Sequence, residues 1–523
     1  MRSLRRCQLT RDVDLVIVGS GFGGSLMGMI AHQLGLSVIL LERGKHPRMA
    51  IGESTTPLSN LLLERLCATY DLPRIAPLAK WGSWQREYPQ IACGLKRGFS
   101  FFHHTLGRAD APHYADQLLV AASPHDGIAD THWYRAEVDQ FLAEEAQRLG
   151  VDYRDSTRIE ALDLTENGVT IAGRAGDEAL HIHAKLLIDA TGAGGFLQRV
   201  LHLEEIGFPC FPATESLYSH FTGVKRTEAA GETPPYPVDD AAVHHVFEGG
   251  WVWVLRFNNG VTSAGVAATQ AVAEELALSD GEAAWQRLLD RLPALQTQFK
   301  GATACQPFKH LPRMSFRIKT IAGPRWAMLP SAAGFVDPLL STGFPLTLMG
   351  IERLALIIDK HRNSADLECQ LQSYAEQTEA DLLAASRLIR GLYATMDNFP
   401  AFTAVSLLYF AAVSFSETAH RLGKPELASS FLLHQHPEFG PASRVLLQRA
   451  CKLHGESDTT AFTKEVLELI EPFNLGGFGN PARHNWYPVR AEDLLQAGSK
   501  LGASREEIIA MLDKSGFWAL SRV

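Results

Sequence analysis

The spacing of apolar residues changes period several times along the chain, and each change predicts an element. Leu15-Val16-Ile17-Val18 is a continuous apolar run that stops at glycines, the pattern of a strand buried on both faces. Residues 25–34 carry helical spacing and residues 37–42 return to a short apolar run, which together make a βαβ unit. Helical spacing over 138–149 is followed by strand patterns at 169–172 and 186–189. Strand-like segments then dominate from 216 to 269, and residues 274–292 turn helical. From 351 onward helical spacing prevails almost to the C-terminus, broken by the turn-rich Asn474-Leu475-Gly476-Gly477-Phe478-Gly479-Asn480-Pro481. This order predicts an α/β fold with an inserted antiparallel β-sheet and a C-terminal helical region.

Composition narrows the function classes. With 523 residues, 46% hydrophobic and 20% charged, the chain is long enough for a large core of two or three layers. A net charge of -9 leaves no basic field for nucleic acid, and the Arg2, Arg5, Arg6 tail is too short to supply one. The seven cysteines are scattered without a CxxC pair, so neither a disulfide framework nor a zinc site is predicted, and a reducing cytoplasm fits. His103-His104 and His244-His245 are neighbours on strands and point to opposite faces, so no metal site is predicted from them. The first apolar run continues into a glycine loop, which is not a signal peptide. Residues 399–415 are the most apolar later stretch, but they contain Pro400 and fall short of the roughly 20 residues a membrane span needs. They are expected to form a buried helix, and no transmembrane segment is predicted.

Chemistry enters at Gly19-Ser20-Gly21-Phe22-Gly23-Gly24, a GxGxxG run between strand and helix with Glu42 at the tip of the second strand. Gly19 permits the tight turn, Gly21 lets a pyrophosphate approach the backbone, Gly24 allows close helix packing, and Glu42 can bond ribose hydroxyls. Gly192-Ala193-Gly194-Gly195 belongs to a strand-end turn instead, so one dinucleotide site is expected. NAD and FAD both use this unit. Leu187-Ile188-Asp189-Ala190-Thr191-Gly192 and residues 326–338 resemble the second and third nucleotide-contacting segments of glutathione-reductase-type flavoproteins, which favours FAD. There Ser331 stands in the pair that usually holds the ribityl chain.

Four further segments carry a more specific resemblance. They are Gly52-Glu53-Ser54-Thr55-Thr56-Pro57, Leu95-Lys96-Arg97-Gly98-Phe99-Ser100-Phe101, Trp251-Val252-Trp253, and Phe335-Val336-Asp337-Pro338-Leu339-Leu340-Ser341-Thr342-Gly343. With these the chain resembles flavin-dependent halogenases of the tryptophan-halogenase superfamily. The resemblance implies that reduced FAD and O2 oxidise chloride or bromide to hypohalous acid, which Lys96 delivers to an electron-rich ring, with Glu53 as a second catalytic group. It implies cofactor contacts at Phe22, Gly23, Arg43, Ser54, Arg135 and Phe344 besides those above, and a halide cradle at Thr342 and Gly343. Phe99, Phe101, Trp251 and Trp253 are expected to wall the substrate. Tryptophan halogenases carry a glutamate where this chain has Leu340. Phenol- and pyrrole-type members do without it, so a phenolic substrate, free or carrier-bound, is favoured.

The expected organisation is a module over 1–358, with FAD-binding segments near 12–85, 130–200 and 310–358 and substrate-sheet segments near 86–129 and 201–309. A helical region follows at 359–523, acting as a lid, a packing layer or a partner-docking surface. Without a second dinucleotide site, reduction by a separate NAD(P)H:flavin reductase is expected. The competing reading is a related FAD monooxygenase that hydroxylates an aromatic small molecule or a carrier- or protein-bound side chain without halide. Oligomeric state has no signal in the sequence.

Overall fold

The computed structural model describes residues 11–108, 114–227, 234–453, 455 and 458–518; the Arg2, Arg5, Arg6 tail and Cys7 lie outside the described residues. Two large sheets organise the chain. In the first, Arg11–Val18 runs parallel to Glu178–Asp189 on one side and to Val38–Leu41 on the other. Asp152–Arg154 and Trp326–Met328 extend it in parallel at either end. Leu15, Val16 and Ile17 are fully buried, as a strand covered on both faces requires.

The helix after the first strand spans Phe22–Gln33, starting three residues before the spacing predicted. Glycine is a poor helix former, so the pattern places Gly23 and Gly24 outside the helix. Packing decides otherwise. A Cβ on Gly23 would meet Leu329 and Thr347 at 3.1 Å each, and one on Gly24 would lie 1.9 Å from the Gly19 carbonyl oxygen.

The second sheet has nine strands and is mainly antiparallel. Two pairings within it are parallel: Gly98–His103 with Ala242–Phe247, and Gln117–Ala121 with Trp486–Tyr487. The cause is connectivity. After Gln117–Ala121 the chain leaves to build much of the first sheet, so its return comes by a long crossover and not by a hairpin. Trp486–Tyr487 belongs to the C-terminal region, which therefore contributes an edge strand as well as helices. The helix expected over 274–292 is two helices, Gln270–Leu276 and Glu282–Arg291, separated at Ala277 and Gly281, both of positive φ. Trp285 and Leu288 pack there on Phe221 and Phe247 in a core of their own.

Three long helices, Gly343–His361, Leu367–Ala394 and Phe399–Arg421, pack in sequence on one another, and the first and third pack on the helix Pro57–Thr69. The third is 23 residues long, enough to cross a membrane by length and apolar character, but 83% of its apolar window is buried within the protein. It starts where expected, with Pro400 in the first turn, where no N–H is needed, and the Asn398 side chain accepting from the Ala401 N–H at 3.1 Å, and it runs on past residue 415 to Arg421. Tyrosines pin the layer: Tyr374 donates to the Met328 carbonyl at 2.7 Å and Tyr409 to the Leu340 carbonyl at 2.8 Å.

Candidate active site

The strand Arg11–Val18 delivers the chain to Gly19, whose φ of +102° and close approach to Ala190 (2.7 Å from a would-be Cβ to the carbonyl oxygen) admit only glycine. A Cβ on Gly21 would meet the guanidinium groups of Arg135 and Arg48 at 3.7 and 3.8 Å and the Asp139 carboxylate at 3.8 Å, all side-chain atoms at ordinary contact distance. No side chain caps the helix that starts at Phe22. Uncapped N–H groups and Arg48 thus meet where a pyrophosphate would lie, with Arg135 beside them paired to Asp139. Glu42 accepts from the Ser20 N–H and hydroxyl, both at 3.1 Å, and from the Gly44 N–H at 2.8 Å. Burial opposes its charge, yet these bonds and Arg48 hold the carboxyl below its usual range. Buried Ser54 Oγ, Tyr153 Oη and Arg48 Nε have no hydrogen-bond partner. Open polar atoms around a glycine cradle fit FAD.

Of the other expected cofactor contacts, Arg135 binds Asp139 through two bonds of 2.8 Å and reaches the Ile51 and Gly52 carbonyls at 3.0 and 2.9 Å, tying the 52–57 loop to the cradle. Arg43 is exposed, and Arg48, which the sequence reading passed over, is the arginine beside Glu42. Ser331 lies in the short helix Pro330–Ala333 against the Gly192 turn. Phe344 stacks on Phe22 at 4.6 Å and meets Trp133 edge-on at 5.0 Å. Thr342 and Gly343 open the 19-residue helix Gly343–His361 with no side-chain cap, and Ser341 before them adopts a φ of +53°.

Lys96 ends the strand Cys93–Lys96, which pairs antiparallel with Asp130–Trp133 so that Lys96 stands directly opposite Asp130. Directly opposed residues share a face. The lysine is fully buried, donates to the Thr55 carbonyl at 2.5 Å and lies 3.9 Å from the Phe99 ring centroid. Desolvation pulls its pKa well down, with the Asp130 carboxylate acting against that pull. His132 and His244 are held neutral, down to about 3, by burial and by the Lys96 charge. The 52–57 loop is stitched to Asp130–Trp133 through Thr55 and Thr131, and the Trp133 N–H donates to the Glu53 carbonyl at 2.6 Å. Thr56, not Glu53, caps the next helix, Pro57–Thr69. Glu53 is buried with its Oε1 3.0 Å from His220 Nε2 on the second sheet.

Next to this chamber lies a cavity of about 180 Å³. Thr56, Asn60, Phe99 and Asp130 form one wall, and Tyr409, Phe410, Glu417 and the segments around Phe478, Tyr487 and Arg490 form the other. Of the residues expected to wall the substrate, Phe99 lines this cavity; Phe101, Trp251 and Trp253 are buried in the core and do not line it. Alternation along a strand puts two tryptophans on one side but does not say what that side faces. Trp251 instead donates to Tyr393 Oη at 3.2 Å, and Tyr393 donates to Asp337 Oδ2 at 2.8 Å. Asp337 is fully buried, and desolvation pushes its carboxyl up to about 7 against these bonds and that from the Leu339 N–H. This chain of bonds joins two of the sequence segments through a helix that carries no motif, so periodicity alone gave no sign of Tyr393. Tyr393→Phe leaves a buried carboxyl oxygen and an indole N–H unsatisfied, at an expected cost of about 1–3 kcal/mol. Denaturant titration should show it as a lower midpoint, and an unchanged midpoint would mean the network contributes nothing to stability.

A flavin cradle, a buried lysine beyond it and an adjoining cavity are the architecture of a flavin-dependent halogenase. Comparison with known proteins agrees. Residues 127–399 match the tryptophan halogenase family. Tetracycline 7-halogenase of Kitasatospora aureofaciens is 30% identical over 417 residues, covering 77% of this chain and 73% of that protein. The monodechloroaminopyrrolnitrin halogenase PrnC of Pseudomonas fluorescens is 28% identical over 380 residues, 71% of this chain and 65% of its own. The crystal structure of halogenase PltM in complex with phloroglucinol and FAD superposes with a TM-score of 0.78 at 25% identity, covering 90% of this chain and 99% of that one. The chain belongs to the tryptophan halogenase family: it is an FAD-dependent enzyme that halogenates an aromatic substrate.

Proposed function

We propose that this enzyme chlorinates or brominates an electron-rich phenolic ring, with Lys96 as the group that delivers the halogen. The observation that carries the reading is the fully buried Lys96 ammonium, held on the Thr55 carbonyl beside a cavity lined by aromatic side chains. FAD, once bound and reduced, supplies with O2 the oxidising power that converts halide to hypohalous acid. The N–H groups at Thr342 and Gly343 hold the halide at the positive end of an uncapped helix. Lys96 binds hypohalous acid through an N–H and orients it toward the cavity, while the apolar walls exclude water that would consume it. Glu53, fixed by His220, positions the loop whose Thr55 carbonyl aims the lysine.

Leu340, fully buried, occupies the place of the tryptophan-halogenase glutamate, so activation is left to the substrate's own hydroxyl. The likeness to PltM bound to phloroglucinol supports a phenol, and the relatives named as acting on carrier-bound pyrrole leave a tethered ring within the class. The reduced flavin comes from a separate NAD(P)H:flavin reductase. Six described cysteines are free thiols, which supports a cytoplasmic setting. Turnover with reduced FAD, O2 and a panel of phenols and indoles, with and without bromide, is expected to give bromophenols only when bromide is present. Hydroxylated product formed at equal rate without halide would replace this reading with a monooxygenase.

A further inference from the structure

The cavity wall holds a buried carboxyl that the halogenation scheme above leaves without a task. Asp130 is 2% exposed. Its Oδ1 accepts from the Asn60 amide at 2.6 Å, and its Oδ2 is buried with no hydrogen-bond partner. The other carboxylate on the wall is engaged: Glu417 is bonded to Arg421, which also reaches Glu64 at 3.3 Å, and Glu64 bonds Lys80 at 2.7 Å. A buried carboxyl oxygen without a donor is a costly feature for a protein to carry, and one beside a cavity is satisfied by a donor on the occupant.

Resting on the halogenase reading, we propose that Asp130 is the substrate's hydroxyl acceptor and general base, binding the phenolic O–H so that the ortho carbon faces Lys96. Asp130 and Lys96 stand directly opposite on one two-stranded ribbon and so project from the same face. A ring whose hydroxyl sits on the carboxylate then presents a neighbouring carbon to the lysine. The step balances. The carboxylate takes the hydroxyl proton as a ring electron pair attacks the halogen; the carbon–halogen bond forms, the oxygen–halogen bond breaks, and its pair leaves on hydroxide, which takes a proton from the Lys96 ammonium. The ring then loses its C–H proton to the Lys96 amine and recovers its hydroxyl proton from Asp130. The sum is ring C–H plus hypohalous acid to ring C–halogen plus water. Asn60 keeps the carboxyl in place throughout.

Phenols and their methyl ethers separate this role from a structural one, because an ether offers no proton and gains nothing from a base. Phloroglucinol, resorcinol and their methyl ethers are compared with wild type and Asp130→Asn, using reduced FAD, O2 and bromide. Wild type is expected to favour phenol over ether by about 10²-fold or more, and the preference is expected to collapse in the variant together with ortho selectivity. Phenol bromination with an unchanged phenol-to-ether ratio in Asp130→Asn would overturn the assignment alone. Failure of wild type to brominate any phenol would overturn the phenolic reading and this one with it. Should Asp130→Asn fail to fold, wild-type pH profiles decide. A base works unprotonated, so the phenol rate must fall as pH falls while the ether rate lacks that limb. Desolvation raises the carboxyl, with Lys96, Arg421 and Asn60 opposing and Glu417 reinforcing, and it faces the Tyr409 hydroxyl as well. The limb is therefore expected above the ordinary carboxylate range, and identical limbs for phenol and ether would overturn the proposal.

Discussion

Lys96→Met is expected to lower the rate of aromatic halogenation by at least about 10³-fold while FAD still binds. Methionine fills the volume of the lysine stem, so the packing and the strand pairing with Asp130–Trp133 persist while the ammonium contact with the Phe99 ring is lost. What disappears is the N–H that holds the oxidant. Product quantified by mass spectrometry, alongside flavin titration, checks this; halogenation at more than about a tenth of the wild-type rate would remove Lys96 from the chemistry. The same variant tests the electrostatics. Burial lowers the lysine's folded pKa, so the unfolded chain binds a proton that the folded chain resists. Stability of the wild type therefore rises with pH between the depressed value and the ordinary lysine value, and falls as pH drops through that window. The Met variant lacks this slope, and its melting temperature should gain on wild type as pH falls from about 10 to neutrality. Asp130, already raised by burial, takes up a proton in the variant and does not stand as a lone anion.

Gly24→Ala is expected to weaken FAD binding about 10- to 100-fold, the equivalent of an overpacking cost of about 1–3 kcal/mol. The added methyl would lie 1.9 Å from the Gly19 carbonyl oxygen, which is backbone and cannot rotate aside. Relief requires the glycine turn to move off the helix, and the N–H groups that face the pyrophosphate move with it. Gly28→Ala, one turn further along the same helix, is the control. Its methyl meets only Ile17 and Val151 at 3.6 and 3.8 Å, ordinary contacts, and alanine favours the helix by up to about 1 kcal/mol. Flavin fluorescence titration of both variants settles the comparison: equal affinities would mean the cradle does not depend on the close approach at Gly24.

What could be read from the sequence follows the range over which each signal acts. Leu15-Val16-Ile17-Val18, the glycine run and Glu42 lie within one βαβ unit, where chain order nearly fixes spatial order, and strand, turn and helix form in that order, the helix starting earlier than its spacing predicts. Lys96 was singled out by its neighbours in the chain, but its burial, the Thr55 carbonyl that holds it and the carboxyl opposite it were not. The two tryptophans show the same boundary: their alternation was legible, their burial against Tyr393 and Ser263 was not.

By itself the sequence determined a dinucleotide-binding α/β unit, one cofactor site, a candidate lysine and a helical C-terminal region, because turn chemistry and hydrophobic period are local properties. The tertiary structure alone decided that Asp130 faces Lys96, that Tyr393 and Tyr409 bolt two C-terminal helices to the 337–340 segment, and that the helix Phe399–Arg421 lines the cavity. Each of these depends on strand register or helix packing between segments far apart in the chain, and no single segment carries that information.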